Sequence, residues 1–156
     1  MKRIKILTSM LLLGLSSSSF AASFSESDIL GFWLSESGKG VVEIYRAGDK
    51  FEGKIVWVKD IHEGVIKEKL DVKNPKKDLQ ARSLIGLKNL EGFSFKKDKW
   101  KGGTVYDPAK GKTYSSYMSL KDIDTLKLRG YIGIALLGRT SVMKRQKSAV
   151  PDSYSK

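Results

Sequence analysis

The chain has 156 residues, no cysteine, a single histidine and a formal net charge of +12. That length suits one domain around one core. The lack of cysteine excludes disulfides, a lipid-modified cysteine anchor and, with only one histidine, a typical zinc site, so stability must come from burial and backbone pairing. The positive balance favours solubility and draws the surface toward anionic partners, an attraction that salt weakens.

The N-terminus reads as a leader. Lys2, Arg3 and Lys5 precede an apolar run from Ile6 to Leu15, and SSSSFAAS follows. The run is well short of the roughly 20 residues that a membrane-spanning helix requires. Ser19 and Ala21 occupy the small-x-small positions that a signal peptidase reads. Residues 1–21 are therefore expected to be a secretory signal peptide, the mature chain to begin at Ala22, and the protein to be periplasmic or secreted. No transmembrane segment is expected after processing.

From Leu30 the pattern becomes that of strands. VVEIYRAGDKFEGKIVWVK reads as two strands about an Ala47-Gly48-Asp49 turn. In the second, Phe51, Gly53, Ile55 and Trp57 share one face and Glu52 and Lys54 the other, the period-two pattern of a half-buried antiparallel strand. Ile61 to Leu87 is irregular. Within it, Asn74-Pro75 has the form of a helix start, with Asn as cap and Pro at the first helical position, and KKDLQARSL has the length for two turns before Gly86. A short helix or helical loop is expected there, between early strands.

Strand rhythm returns from Asn89 in LEGFSFKKDKW, GGTVYD, KTYSSYMSL, DTLKLRGYIGI and GRTSVMKR. The breaks fall at Gly102-Gly103, Asp107 to Gly111, Lys121 to Asp124 and Leu137-Gly138. About eight antiparallel strands result, the number at which a small barrel closes. The fold class is all-β. A barrel domain is expected over residues 22–147, with 148–156 a flexible tail.

Groups suited to catalysis are scarce. His62, beside Asp60 and Glu63, has no nucleophile marked by a local motif and reads as an exposed loop residue. Asp107, in YDPAKGK, reads as a turn aspartate that accepts backbone hydrogen bonds. There is no phosphate-cradling loop, metal-ligand cluster or paired-carboxylate spacing, so no catalytic residue, metal or cofactor is assigned and an enzyme is not expected. Tyr106, Tyr114, Tyr117 and Tyr131 offer faces on which bases stack, but strand tyrosines in an exported chain read as packing, and nucleic acid is not an expected partner.

Gly31-Phe32-Trp33, opening the first strand, resembles the signature of lipocalins and their relatives. The resemblance implies that Trp33 plugs one end of a calycin-type barrel and that an Arg from the last strand lies across its face, as guanidinium stacks well on indole. Arg145 is the candidate, with Arg139 second. The order GFWLSESGKGVVEIY, FEGKIVWV, NP, RSLIGL, KGGTVYDPAKGKTY, TLKLRGYIG and GRTSVMKR resembles the bacterial domain-of-unknown-function family 2147 over nearly all the mature chain. That likeness implies export and a lipocalin-like barrel. Members of that family usually carry Trp where this chain has Met143, which makes the lining there less aromatic.

An apolar interior is expected from Phe51, Ile55 and Trp57 on one strand and Leu126, Leu128 and Ile132 on a later one, with Tyr114 and Met118 beside them. Gly53 and Gly130 remove side-chain volume on those faces. The candidate ligand-binding residues are therefore Phe51, Ile55, Trp57, Tyr114, Met118 and Leu128. The expected function is non-catalytic binding of a small apolar or amphipathic molecule in the barrel. The alternative, drawn from charge, is a basic surface that binds anionic envelope polymers or lipids; a hydrolase or isomerase is a third and weaker reading.

Overall fold

The computed structural model describes residues 23–155; the expected leader and its cleavage point at Ala21 lie outside them. Eight strands make up the fold: β1 (Gly31–Leu34), β2 (Gly40–Ala47), β3 (Lys50–Val58), β4 (Lys88–Phe95), β5 (Trp100–Asp107), β6 (Lys112–Asp122), β7 (Thr125–Tyr131) and β8 (Arg139–Gln146). Each pairs antiparallel with the next, and β1 also pairs with β8, which closes the barrel. Closure leaves no unpaired strand edge.

Three of the tight turns lie at one end. Gly48, at φ 62°, joins β2 to β3, and Lys97 and Asp98, at φ 52° and 55°, join β4 to β5. Asp122 accepts from the Asp124 amide at 3.0 Å between β6 and β7. The longer connections, including residues 59–87 between β3 and β4, lie at the other end.

The tight-turn end is packed solid. Trp33, Ile44, Phe51, Leu90, Phe93, Trp100, Met118 and Leu126 are all buried in one cluster. A 3-10 turn, Glu26–Ile29, lies across this end, where Ile29 accepts from the Trp33 indole at 2.8 Å and Glu26 from the Trp100 indole at 3.2 Å. Outside, the wall is charged: Lys54 pairs with Glu43 at 3.1 Å and Lys88 with Glu52 at 2.8 Å. An apolar interior behind a charged wall is the reverse of a membrane-spanning barrel. Among the described residues no helix is long and apolar enough to cross a membrane.

Four expectations about elements need correction. Gly102-Gly103 does not break the chain but lies inside β5, at a register shift. A Cβ on Gly103 would lie 2.5 Å from both the Phe93 ring and the Glu91 carbonyl oxygen, so the missing side chain is what lets Phe93 fill the core. Asn74 does not cap a helix. Its amide donates to Asp71 at 2.8 Å while its Oδ1 accepts from the Lys76 amide at 2.9 Å, and a single 3-10 turn begins later, at Lys77. Among the described residues the one α-helical turn is Lys59–His62, directly after β3. The strand expected to run through Ile134 ends at Tyr131, leaving Ile132 exposed. The C-terminal segment expected to fray is seated instead: Pro151 is buried, Tyr154 lies 5.3 Å from the Trp57 ring, and its hydroxyl donates to Glu63 at 2.6 Å.

Candidate binding site at the open end of the barrel

Above the packed cluster the barrel is hollow and open to solvent. One lobe, of about 560 Å³, is walled by Val42, Val105, Tyr114, Leu128, Gly130 and Met143, with Ser35, Asp107 and Arg139 at its rim. A second, of about 490 Å³, runs beneath the β3–β4 loop and is walled by Val42, Ile55, Val58, Leu70 and Leu84. Ser35, Ser37, Val42, Asn89, Asp107 and Pro108 border both, so the lobes form one branched cavity. Its size and apolar walls suit a small-molecule site.

The expected lining residues divide three ways. Ile55, Tyr114 and Leu128 line the cavity. Phe51 and Met118 do not: both are sealed in the packed end, where Phe51 meets Trp100 edge-on at 6.3 Å and carries the Arg46 guanidinium 4.7 Å above its ring. Trp57 is outside the barrel altogether. Val41 pairs with Trp57 and Val42 with Ile55, which leaves Val56 as the extra residue of a bulge. The bulge reverses the alternation, so Trp57 shares the outer face with Val41 and packs on His62 and Tyr154. Leu126 is in the packed core, and Ile132 is exposed on a loop.

The glycines also behave differently from one another. A Cβ at Gly53 would lie 2.8 Å from Leu90 and 2.9 Å from Val42, so this glycine admits neighbouring side chains and leaves no space. Gly130 does border the cavity, where a Cβ would meet Val105 at an ordinary 3.4 Å.

A second bulge supplies a residue that alternation could not reveal. Gly53 pairs with Leu90 and Lys54 with Lys88, which makes Asn89 the extra residue in β4. Its side chain borders both lobes, and its buried Oδ1 accepts no hydrogen bond from any of the described residues. A buried acceptor left open is costly, and a ligand donor would satisfy it.

The floor and the roof of the site are each held by a charge, half-buried at the floor and fully buried at the roof. At the packed end, Arg145 is the cross-strand partner of Trp33, and its guanidinium carbon lies 4.2 Å from the indole centroid. The same side chain donates to the carbonyls of Leu30 (2.9 Å), Ile123 (2.7 Å) and Asp28. Gly31 passes beneath it at φ 119°, a backbone state open to glycine, with Arg145 Nη1 3.4 Å from where a Cβ would stand. Arg139, the second candidate for this stack, is at the opposite end of β8, beside the cavity mouth.

At the roof, the β3–β4 loop is tied down by Asp71, which is completely buried. Its carboxylate accepts from the Tyr106 hydroxyl at 2.6 Å, the Asn74 amide at 2.8 Å and Arg82 at 2.9 Å. Burial alone raises a carboxyl pKa, but these hydrogen bonds and the Arg82 charge outweigh it and hold Asp71 below the usual range. The same burial, with the carboxylate beside it, raises the Tyr106 hydroxyl.

Asp107 shapes the β5–β6 turn, accepting from the amides of Ala109 at 3.0 Å and Gly111 at 2.8 Å. His62 is exposed on the outer wall. The four strand tyrosines form no common surface: Tyr114 and Tyr106 both border the first lobe, Tyr106 with its hydroxyl on Asp71, Tyr117 lies on the outer wall under Lys99, and Tyr131 ends β7.

Comparison with known proteins places this geometry. A family profile described as "Uncharacterized protein conserved in bacteria (DUF2147)" matches residues 31–145. Among solved structures the chain is similar to protein HP1028 from Helicobacter pylori, described as belonging to the lipocalin family. The two share 26% identity with a TM-score of 0.66, over 76% of this chain and 82% of that one. A search of curated proteins finds no match.

Proposed function

The chain belongs to the bacterial family DUF2147, and from that premise and its lipocalin-like barrel we propose that it is a non-catalytic carrier or sensor of a small apolar or amphipathic molecule. The observation that carries the reading is the branched cavity with Val, Leu, Ile and Met walls and one open acceptor, Asn89 Oδ1. Those features suit a ligand with an apolar body and a single hydroxyl or amide donor placed near the middle of the cavity. The leader pattern supports action outside the cytoplasm, in the periplasm or after secretion. The scarcity of groups able to exchange protons or attack supports binding without turnover.

The test is displacement of a fluorescent naphthylamine probe by long-chain alcohols, fatty acids and aromatic amides. Intrinsic tryptophan emission would not serve, because Trp33, Trp57 and Trp100 all lie away from the cavity. Saturable binding is expected, little changed by salt since burial of apolar surface drives it. Leu128→Trp, which fills one lobe, should abolish or weaken it. If no ligand in the panel displaces the probe, and the probe binds the Leu128→Trp variant as well as the parent, the carrier reading is wrong.

A further inference from the structure

The connection from β7 to β8 runs Ile132-Gly133-Ile134-Ala135-Leu136-Leu137-Gly138 and contains no charged residue. Leu136 is 83% exposed, Leu137 80%, Ile132 72% and Ile134 60%. Single exposed aliphatics are ordinary, but a cluster of them marks a contact surface.

Three carbonyls of this loop are held from within the protein while its aliphatic side chains are free. Arg129 donates to the carbonyls of Ala135 at 2.7 Å and Leu136 at 2.9 Å, and to the Thr140 hydroxyl at 2.9 Å. Within the loop the amides of Leu137 and Gly138 donate to Ile134 and Ala135. A Cβ on Gly138 would lie 2.6 Å from the Gly130 carbonyl oxygen, so the end of the loop sits directly on β7. These carbonyls are satisfied from the protein side while the aliphatic groups point away. A loop so arranged enters hydrocarbon without stranding those polar groups.

The surroundings of the loop select the partner. Arg139 at its base, Lys73 beside the second lobe and Lys112 at the start of β6 form no ion pair among the described residues. Val72, next to Lys73, adds another exposed aliphatic at the same end. Aliphatic side chains among free cations complement a bilayer surface with anionic head groups. A protein partner's energetic centres are rich in aromatic and hydrogen-bonding groups, which this loop lacks.

We infer that the β7–β8 loop inserts Ile132, Ile134, Leu136 and Leu137 into the surface of an anionic lipid bilayer, setting the cavity mouth against the lipid. The insertion needs no ligand in the cavity, so it stands or falls separately from the carrier function.

The test is co-sedimentation of the chain from Ala22 onward, which contains every element of the barrel, with two kinds of vesicle. One is equal parts phosphatidylglycerol and phosphatidylcholine, the other phosphatidylcholine alone. The parent protein should sediment with the anionic vesicles, more weakly with the neutral ones, and less at high salt. Leu136→Ser combined with Leu137→Ser should lower the partition coefficient by about 100-fold with the near-ultraviolet circular dichroism unchanged. Leu136→Trp should show a blue-shifted emission when anionic vesicles are added. The inference is overturned if the parent protein stays in solution, or if the double serine variant binds as well as the parent. It is also overturned if the loop instead holds two copies together in vesicle-free solution, read as a dimer that the serine variant dissolves.

Discussion

Asp71→Asn isolates the device that holds the roof over the second lobe. The substitution keeps the shape of the side chain but removes its charge and replaces one acceptor oxygen with a donor. That donor must then face Tyr106, Asn74 or Arg82, each of which already donates to this position. Hydrogen bonds to a charged group contribute about 1.5–3 kcal/mol each, and breaking a buried ion pair costs about 3–5 kcal/mol. The Arg82 side chain is 36% exposed and regains water when its partner is lost, which lowers the total. The expected loss is about 3 kcal/mol, read from urea unfolding of parent and variant. Amide exchange over residues 69–84 should accelerate at the same time, because the loop there folds back through Asp71 N–H to the Arg82 carbonyl at 3.0 Å.

The pH dependence carries a sign. Asp71 has a folded pKa held below its unfolded value, so its stabilisation is fully present above the unfolded value, near pH 3.9, and disappears as pH falls through the folded one. The gap between parent and variant should be flat from about pH 5 to 7 and close below about pH 4. A variant within about 0.5 kcal/mol of the parent at neutral pH, or a gap that widens in acid, would refute the account.

Other sites give sharper local tests. Trp33→Ala should destabilise by about 3–5 kcal/mol and Arg145→Ala by less, and a double-mutant cycle should show a coupling of about 1 kcal/mol from their stacking. Gly103→Ala, which drives a methyl group into the Phe93 ring and the Glu91 carbonyl, should lower stability by about 1–3 kcal/mol in thermal unfolding, whereas Gly130→Ala should be nearly neutral. Asn89→Leu should weaken long-chain alcohols in the probe-displacement assay while leaving a hydrocarbon of the same length unchanged or tighter. N-terminal sequencing of material recovered from the cell envelope should begin at Ala22; material beginning at Met1 would overturn the proposed export.

What the sequence disclosed follows from what repeats in it. Alternation along β3 and the Gly and Asp turns carried the strand count, and Gly31-Phe32-Trp33 carried the barrel, because these signals need only near neighbours. The site was less legible because it depends on two places where period two fails. Nothing in KIVWV distinguishes a regular strand from one with Val56 bulged out, yet that one extra residue moves Trp57 from the interior to the outer wall. Nothing in LKNLEG singles out Asn89 as facing inward, since its orientation depends on how β4 pairs with β3. Asp71 and Asn74 were hidden for a related reason: their partners Tyr106 and Arg82 meet them only after the loop folds over the barrel. The apolar composition of YIGIALLG was plain, but a strand continuing β7 and a presented loop share that composition. The Arg129 bonds that distinguish them are tertiary.

The pairing of β1 with β8 also sets a rule for the order of assembly. Every other neighbour in the barrel is also a neighbour in sequence, and apart from β3 and β4, which residues 59–87 connect, those hairpins form from short loops with a small entropic penalty. The first strand has to wait for the last. Until β8 arrives, β1 and β7 each present an open edge, Trp33 has no guanidinium over it, and Leu126 lacks Met143 across the ladder. A chain that stopped at Ile134 would therefore hold seven strands' worth of hairpins and no closed core. It would expose two templates for intermolecular pairing, and it should aggregate rather than fold to a smaller barrel.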